Sequence, residues 1–566
     1  MFSDTDYKFE IAKTTRRVLI AMLAIPMLLL ILGMSQGLLQ VLYRAGYIRA
    51  TSFLGIEYYQ GLTLHGVINA IVFTTFFEVA FGYVVFAYYL RKPIPRLWLW
   101  ASFSVMLTGT LMAAFPMLNG TASVLYTFYP PLKANPLFYI GAALLIVGSW
   151  IAYFSWIPQY TSWRKENPGI KTPLAVVGIL AAFTIWFFCT LPVAYEVLIL
   201  LVPWSLGWTD SIDVLLARTL FWFFGHPLVY FWLLPTYVMF YVMLPKIAGG
   251  KLFSDGAGRM AFMLFLVLSA PVGLHHQFGD PGINAAFKWF HMILTFGVAV
   301  PSFLTAFTVA ASMEHAAANR GGSGLFNWWK YLPYFDKDRW MFSYLFCGLV
   351  LFYFGGITGI INASGNMNLT VHNTAWVPAH FHTTIAGPVF LSFLGMSLLM
   401  LCQFRGVRIP FPVLNIWTPW LWLLGVSIFS TGLSVAGVLG EPRRTNLGLL
   451  YENPHFARYV AEWHIWDVAG VIGGVIMFLS VLLFFVNFFG ALFVRSREKA
   501  GEVRFPTAEA YHDERLPWFE NFKPWVAMMV LATLIAYIPP LYQITTGNQK
   551  KALPYRPWSP APEVNK

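Results

Sequence analysis

Val371-His372-Asn373-Thr374-Ala375-Trp376-Val377-Pro378-Ala379-His380-Phe381-His382 opens an apolar run, Thr383 to Cys402, that predicts a membrane-embedded helix. At ~100° per residue, histidines two positions apart point about 200° apart around the helix axis. His380 and His382 therefore offer an imidazole to each of two neighbouring compartments. Three other places put histidines in apolar segments: His65, His226 and the pair His275-His276. How these share the two faces decides the reading of the chain.

The 566 residues are 58% hydrophobic and 11% charged, against about 25% charged in soluble domains. That balance predicts an all-α polytopic membrane protein. An aromatic content of 18% suits interfacial belts and room for flat cofactors. The net charge of +12 follows from Lys and Arg in loops on one membrane side, and nothing points to nucleic acid. Cys189, Cys347 and Cys402 lie far apart in apolar runs, so neither a disulfide framework nor a thiolate metal site is supported. Lys13, Arg16 and Arg17 precede an apolar run too long for a cleaved signal, so it reads as a retained first span.

With about 20 largely apolar residues needed per crossing, the chain predicts about thirteen spans. They fall near 18–43, 60–89, 97–118, 136–158, 173–203, 214–244, 259–276, 286–312, 341–363, 374–403, 413–438, 464–494 and 524–546. The whole of 1–566 reads as one membrane domain: a core of twelve helices over about 18–494 and an additional C-terminal helix. Basic clusters recur on alternate loops, from Arg16-Arg17 and Arg91-Lys92 to Arg495, Arg497, Lys499 and Arg504. The positive-inside rule then sets the N-terminus in the cytoplasm and the C-terminus outside, in the inner membrane of a prokaryote. Arg443 and Arg444 break that bias on the outer side, where two adjacent arginines want an anionic partner or form a plain surface loop.

Of twelve histidines, His65, His226, His275, His276, His380 and His382 fall together in the outer half of the bilayer. Ionisable groups there are costly and point to function. Too few carboxylates accompany them to form pairs, so metal ligation is expected. Imidazole suits copper and haem iron. His275 and His276, being adjacent, suit one compact ion and with His226 make a three-nitrogen site open at a fourth position. Of His380 and His382, one can complete a closed bis-histidine iron with His65, and the other can hold an iron facing the copper. His372 shares the opening motif and lies beside this site. His291, His455 and His464 read as polar anchors at outer ends.

Within Gly225-His226-Pro227-Leu228-Val229-Tyr230 the phenol follows the imidazole by four residues, on the same helix face about 6 Å along. Tyr237 and Tyr241 continue that face, and Ser302, Thr305 and Thr308 supply hydroxyls on another span. Together they could carry protons from the cytoplasm; packing between membrane helices is the plainer use of such residues.

The motifs Leu64-His65-Gly66-Val67, Gly225-His226-Pro227-Leu228-Val229-Tyr230, Gly273-Leu274-His275-His276-Gln277-Phe278 and His372 to His382 resemble catalytic subunit I of the haem–copper oxygen reductases, the cytochrome c oxidase polypeptide I family. The resemblance implies a low-spin haem on His65 and His382, a high-spin haem on His380, and CuB on His226, His275 and His276. It also implies a covalent bond between His226 and Tyr230. Leu228 stands where the A-type pattern has a glutamate, and the stretches 126–133, 219–222 and 441–444 resemble the B-type oxidases. By that resemblance Tyr237, Tyr241, Ser302, Thr305 and Thr308 line the single proton-input path, and Arg443 and Arg444 meet haem propionates near His372. Asn368 departs from the acidic residue of related B-type sequences, leaving His372 as the better candidate for holding a proton there.

The expected activity is cytochrome c oxidase: dioxygen reduced to water with proton uptake from the cytoplasm and proton pumping. A quinol oxidase of the same family is the alternative. Tyr230 and the missing glutamate oppose a nitric oxide reductase, and a simple electron conduit would leave three histidines and Tyr230 unused. Axial ligands do not encode ring substituents; a b-type low-spin and an a-type high-spin haem are expected. With no thiolate copper site here, electrons are expected through a subunit II carrying CuA, alongside a small single-helix subunit.

Overall fold

A computed structural model of the chain describes residues 8–496, 498–514 and 516–547; Arg497 and both chain ends of the expected domain lie outside the described residues. The fold is a bundle of membrane helices. Among the described residues, twelve are long and apolar enough to cross a bilayer: α1 Lys13–Arg44, α2 Tyr58–Leu90, α3 Arg96–Leu118, α4 Pro136–Glu166, α5 Leu174–Ser205, α6 Val214–Ala248, α8 Ala285–Ala318, α9 Met341–Ala363, α10 Trp376–Arg405, α11 Pro412–Val438, α12 Ala457–Phe493 and α13 Phe522–Thr546. Between α6 and α8 lies the shorter α7, Asp255–Leu268. Small two-stranded pairings tie loops together at the margins, such as Leu252–Ser254 with Ala510–His512.

The expected seventh span, 259–276, is therefore corrected. Its helix stops at Leu268, because Pro271 brings no N–H to the ladder and biases Ala270 away from helical backbone. The chain resumes as a tight turn of 3-10 helix, Gly273–Gln277, that carries His275 and His276. These two histidines sit on an irregular segment rather than at the end of a continuous helix.

Sequence chemistry starts several helices. Asp213 caps α6 by accepting from Leu216 N at 2.9 Å, Asn284 caps α8 through Ala286 N at 2.9 Å, and Ser254 caps α7 through Ala257 N at 3.1 Å. Close helix contacts rest on glycine: a Cβ added at Gly109 of α3 would stand 2.5 Å from the carbonyl oxygen of Gly141 on α4.

Burial varies steeply among the spans. In α2, α6 and α10, 89% of the most apolar window is buried inside the protein, against 28% in α8 and α13. A helix apolar on every side is either wrapped by other helices or by lipid, and these three are wrapped by protein. They are also the spans that carry His65, His226, His380 and His382. Four of the six histidines therefore sit on the spans most enclosed by protein.

Candidate metal and cofactor site

The two faces expected of the α10 histidines are realised as two cavities. His380 lines one, together with His226, His275, His276, Tyr230, Tyr237, Ser302 and His372. His382 lines the other, together with His65, Arg44, Arg443 and Arg444. Phe381, between the two histidines in sequence, borders both, and so does Arg443.

In the second cavity the imidazoles of His65 and His382 face each other with ring centroids 6.0 Å apart and planes 8° from parallel. Metal–nitrogen bonds of about 2 Å on either side of one ion, with roughly 1 Å more to each ring centre, also give about 6 Å. His65 Nδ1 lies 2.9 Å from the Gly33 carbonyl oxygen and His382 Nδ1 2.7 Å from that of Pro378. A carbonyl only accepts, so each Nδ1 carries the proton and each Nε2 keeps a lone pair for a metal. Gly37 leaves the space: a Cβ there would stand 2.6 Å from the His65 ring. The residues fit a bis-histidine haem iron.

The first cavity uses hydroxyls for the same purpose. His380 Nδ1 lies 2.8 Å from Thr358 Oγ1, whose own proton goes to the Gly355 carbonyl at 2.9 Å. His275 Nδ1 lies 2.9 Å from Thr295 Oγ1, which donates to the His291 carbonyl at 2.6 Å. Each threonine has spent its proton, so it must accept from the imidazole, leaving Nε2 of His380 and of His275 as lone pairs. Thr295 and Thr358 escaped the sequence reading because a threonine in a membrane helix carries no distinguishing signal.

His226, His275 and His276 bring their ligand atoms within 4.8 Å of one another. His226 Nδ1 and His276 Nε2 approach to 3.2 Å, the spacing expected across one ion with bonds of about 2 Å. The His276 ring is held by stacking on Trp222, with centroids 3.9 Å apart and planes 10° from parallel. A buried His226 Nε2 without a hydrogen-bond partner faces a cavity that Tyr230 also lines, and the two rings are 4.9 Å apart. Three imidazoles and no carboxylate suit a copper ion. The turn bearing two of them is anchored from α13: Tyr537 Oη accepts from Gly273 N at 2.9 Å, and His291 links Leu274 N to the Ala536 carbonyl at 3.3 and 3.0 Å. With both ring nitrogens occupied, His291 is an anchor.

Pro227 follows His226 within α6 without ending it. Turns of π-helix widen α2 at Ile68–Val72 and α10 at Ile385–Val389, each just past an inward-facing histidine. Such widened turns often occur at functional sites; the sequence shows no trace of them.

Farther along α6 the expected hydroxyls come together in part. Tyr241 and Thr305 share a hydrogen bond of 2.5 Å. Tyr237 and Ser302 line the first cavity with Tyr230. The Tyr237 and Thr308 hydroxyls are buried without hydrogen-bond partners, so the direct hydrogen-bonded chain is interrupted at these two groups.

Arg443, Arg444 and His372 also line these cavities. Arg443 Nη2 donates to Asn373 Oδ1 at 2.8 Å, while its Nε has no partner. Burial first, and then Arg444, bring the Arg443 guanidinium down to about 9. A cation held out of water without a carboxylate wants an anion from the cavity. Asn368 donates to the Asn362 carbonyl at 2.7 Å, so its oxygen accepts from His372 Nδ1 at 3.0 Å. His372 Nε2 is thereby a buried lone pair beside the first cavity. Burial and then the Arg443 charge hold this imidazole below the usual histidine range.

Buried imidazole lone pairs, aimed into two cavities on either side of one helix, define a membrane-embedded metalloprotein. Residues 17–476 match the family model for cytochrome c and quinol oxidase polypeptide I. The chain is 42% identical over 496 residues to cytochrome c oxidase subunit 1 of Thermus thermophilus, covering 86% of each. It is 26% identical over 315 residues to ubiquinol oxidase subunit 1 of Acetobacter aceti, covering 54% of this chain and 41% of that one. A solved heme-copper terminal oxidase dimer superposes with a TM-score of 0.92 at 48% identity, covering 95% of this chain and 94% of the other. The chain belongs to this family of haem–copper oxidase subunits I.

Proposed function

We propose that the chain is the catalytic subunit of a B-type terminal oxidase that reduces dioxygen to water. Electrons come from cytochrome c through a partner subunit II, and protons are drawn from the cytoplasmic side, with others pumped outward. The observation that supports this best is the pairing of a closed site, His65 with His382 at 6.0 Å, with an open cavity where His380 faces the three-histidine cluster. The groups these residues would hold, a low-spin haem, a high-spin haem and CuB, supply the electron transfer and the dioxygen chemistry when bound. The protein's own part is to fix ligand tautomers, shield the site and deliver protons.

Tyr230, four residues from His226, is placed to lend a proton and an electron at the open cavity, and its ring beside His226 supports the family's cross-link. Tyr237, Ser302, Thr305, Tyr241 and Thr308 form the input route, with water completing it where direct hydrogen bonds stop. Arg443 and Arg444 take the propionates of the haems, Arg443 reaching both cavities.

The purified complex should consume dioxygen with reduced cytochrome c as donor, and contain one CuB in this subunit for two haems. His226→Ala should lose that copper and turnover while the low-spin haem spectrum persists. Copper retained at full stoichiometry would remove His226 from the ligand set, and turnover with quinol alone would reassign the donor. Thr305→Val removes the hydroxyl bonded to Tyr241; it should slow turnover by about tenfold or more, the scale of a lost proton relay, with haem spectra unchanged. Full turnover would take Thr305 out of the route.

A further inference from the structure

On the outer side of α1, next to the His65–His382 cavity, the fold buries three charged groups that the oxygen chemistry does not use. Arg44 ends α1, Glu441 lies in the loop after α11, and Asp467 sits on α12. Glu441 is fully buried, Asp467 is 1% exposed and Arg44 6% exposed. Arg44 Nη2 hydrogen-bonds Glu441 Oε1 and also reaches the Pro442 carbonyl at 3.2 Å, while its Nε lies 3.6 Å from Asp467 Oδ1. Glu441 Oε2 and both Asp467 oxygens have no donor. The two carboxyl groups meet on the one Arg44 guanidinium, Glu441 at Nη2 and Asp467 at Nε.

Charge decides the state. One guanidinium cannot neutralise two carboxylates, and the surplus negative charge would sit in a region closed to water. Carboxylates that share a site do not both ionise there. A single proton makes the cluster neutral and supplies the missing donor, and it belongs to the pair rather than to either residue.

The remaining groups around the pair set where that proton can go. Tyr58 of α2 donates its hydroxyl to the Thr445 carbonyl at 2.9 Å. Tyr451 places its Oη 3.0 Å from His464 Nδ1 and 3.2 Å from the Arg44 carbonyl, with Arg49 over its ring at 5.3 Å. His464 is exposed at the outer end of α12. Burial, and then Asp467 and Glu441, raise the Tyr451 phenol, so the phenol feels both carboxyls.

We propose that Glu441 and Asp467 hold one shared proton beside the His65–His382 cavity, in exchange with the outer surface through Tyr451 and His464. Arg44 lines that cavity while it binds both carboxyls, so a change of charge between the two histidines reaches the pair through one side chain. The pair then holds its proton more tightly when the cavity gains an electron and yields it outward when the electron leaves. This last step rests on the reading of that cavity as the low-spin haem site; the shared proton does not.

Infrared spectroscopy of the full oxidase complex separates the two claims. In the oxidised complex at neutral pH, a C=O band of a protonated carboxyl group, shifted by deuterium oxide, should be present and should vanish in both Asp467→Asn and Glu441→Gln. A band that survives in both variants overturns the shared proton. If the variants lose their haems, the wild-type complex still decides: the band should shift when the low-spin haem is reduced, and a band indifferent to reduction overturns the coupling. In Asp467→Asn with haems intact, the low-spin midpoint potential should lose part of its dependence on outer pH; an unaltered dependence also overturns the coupling.

Discussion

Thr295 and Thr358 show how much of this site is decided one atom away from the ligands. Each gives its own proton to a helix carbonyl and must therefore accept from an imidazole Nδ1, at 2.9 Å for His275 and 2.8 Å for His380. Thr358→Val keeps the shape and removes the acceptor, leaving a buried N–H unsatisfied at a cost of about 1–3 kcal/mol. Haem affinity at His380 should fall by roughly 10–100-fold, the usual effect of losing such a partner, while the His65–His382 haem stays. Thr358→Ser should restore it. Equal haem occupancy in the valine variant would contradict the role. At this scale the candidate ligands were legible, because six imidazoles at one depth in a bilayer are too costly to be incidental. The threonines were not, since the same hydroxyl elsewhere merely bonds its own helix, as Thr74 does to the Ala70 carbonyl at 2.7 Å. Asn368 was legible as a departure; its consequence, a fixed His372 tautomer, needed the Asn362 carbonyl to be in place.

Among the elements, α10 is the one whose two faces the sequence read correctly: helical period alone sends His380 and His382 to different cavities. α7 is the one it misread. Hydropathy runs through 259–276 without a break, yet Pro271 ends the helix early and leaves His275 and His276 on a turn. That turn gets its rigidity from α13, through Tyr537 Oη on Gly273 N and through His291 bridging Leu274 N and the Ala536 carbonyl. No local pattern links residues 245 or 264 positions apart, so a span read as an addition to the core turns out to brace the three-histidine cluster. Tyr537→Phe should leave both haem spectra unchanged and make the copper easier to remove with a chelator, by roughly tenfold at the low end for an outer-shell partner. Unchanged copper retention would mean that His291 alone holds the turn.

Over the whole molecule, burial and function follow the same gradient. The three spans most enclosed by protein carry His65, His226, His380 and His382, and the least enclosed, α8 and α13, hold the His275-His276 turn from the edge. Arg443 and Phe381 line both cavities, so an anion at either would meet the same guanidinium. The paired substitutions His380→Ala and His382→Ala test this division most directly. In carbon monoxide difference spectra of the reduced complex, His382→Ala should lose the haem that ignores carbon monoxide and keep the one that binds it. His380→Ala should do the reverse. Loss of the same haem in both variants, or a carbon monoxide response moved to the His65 side, would contradict the account that one helix separates a closed site from an open one.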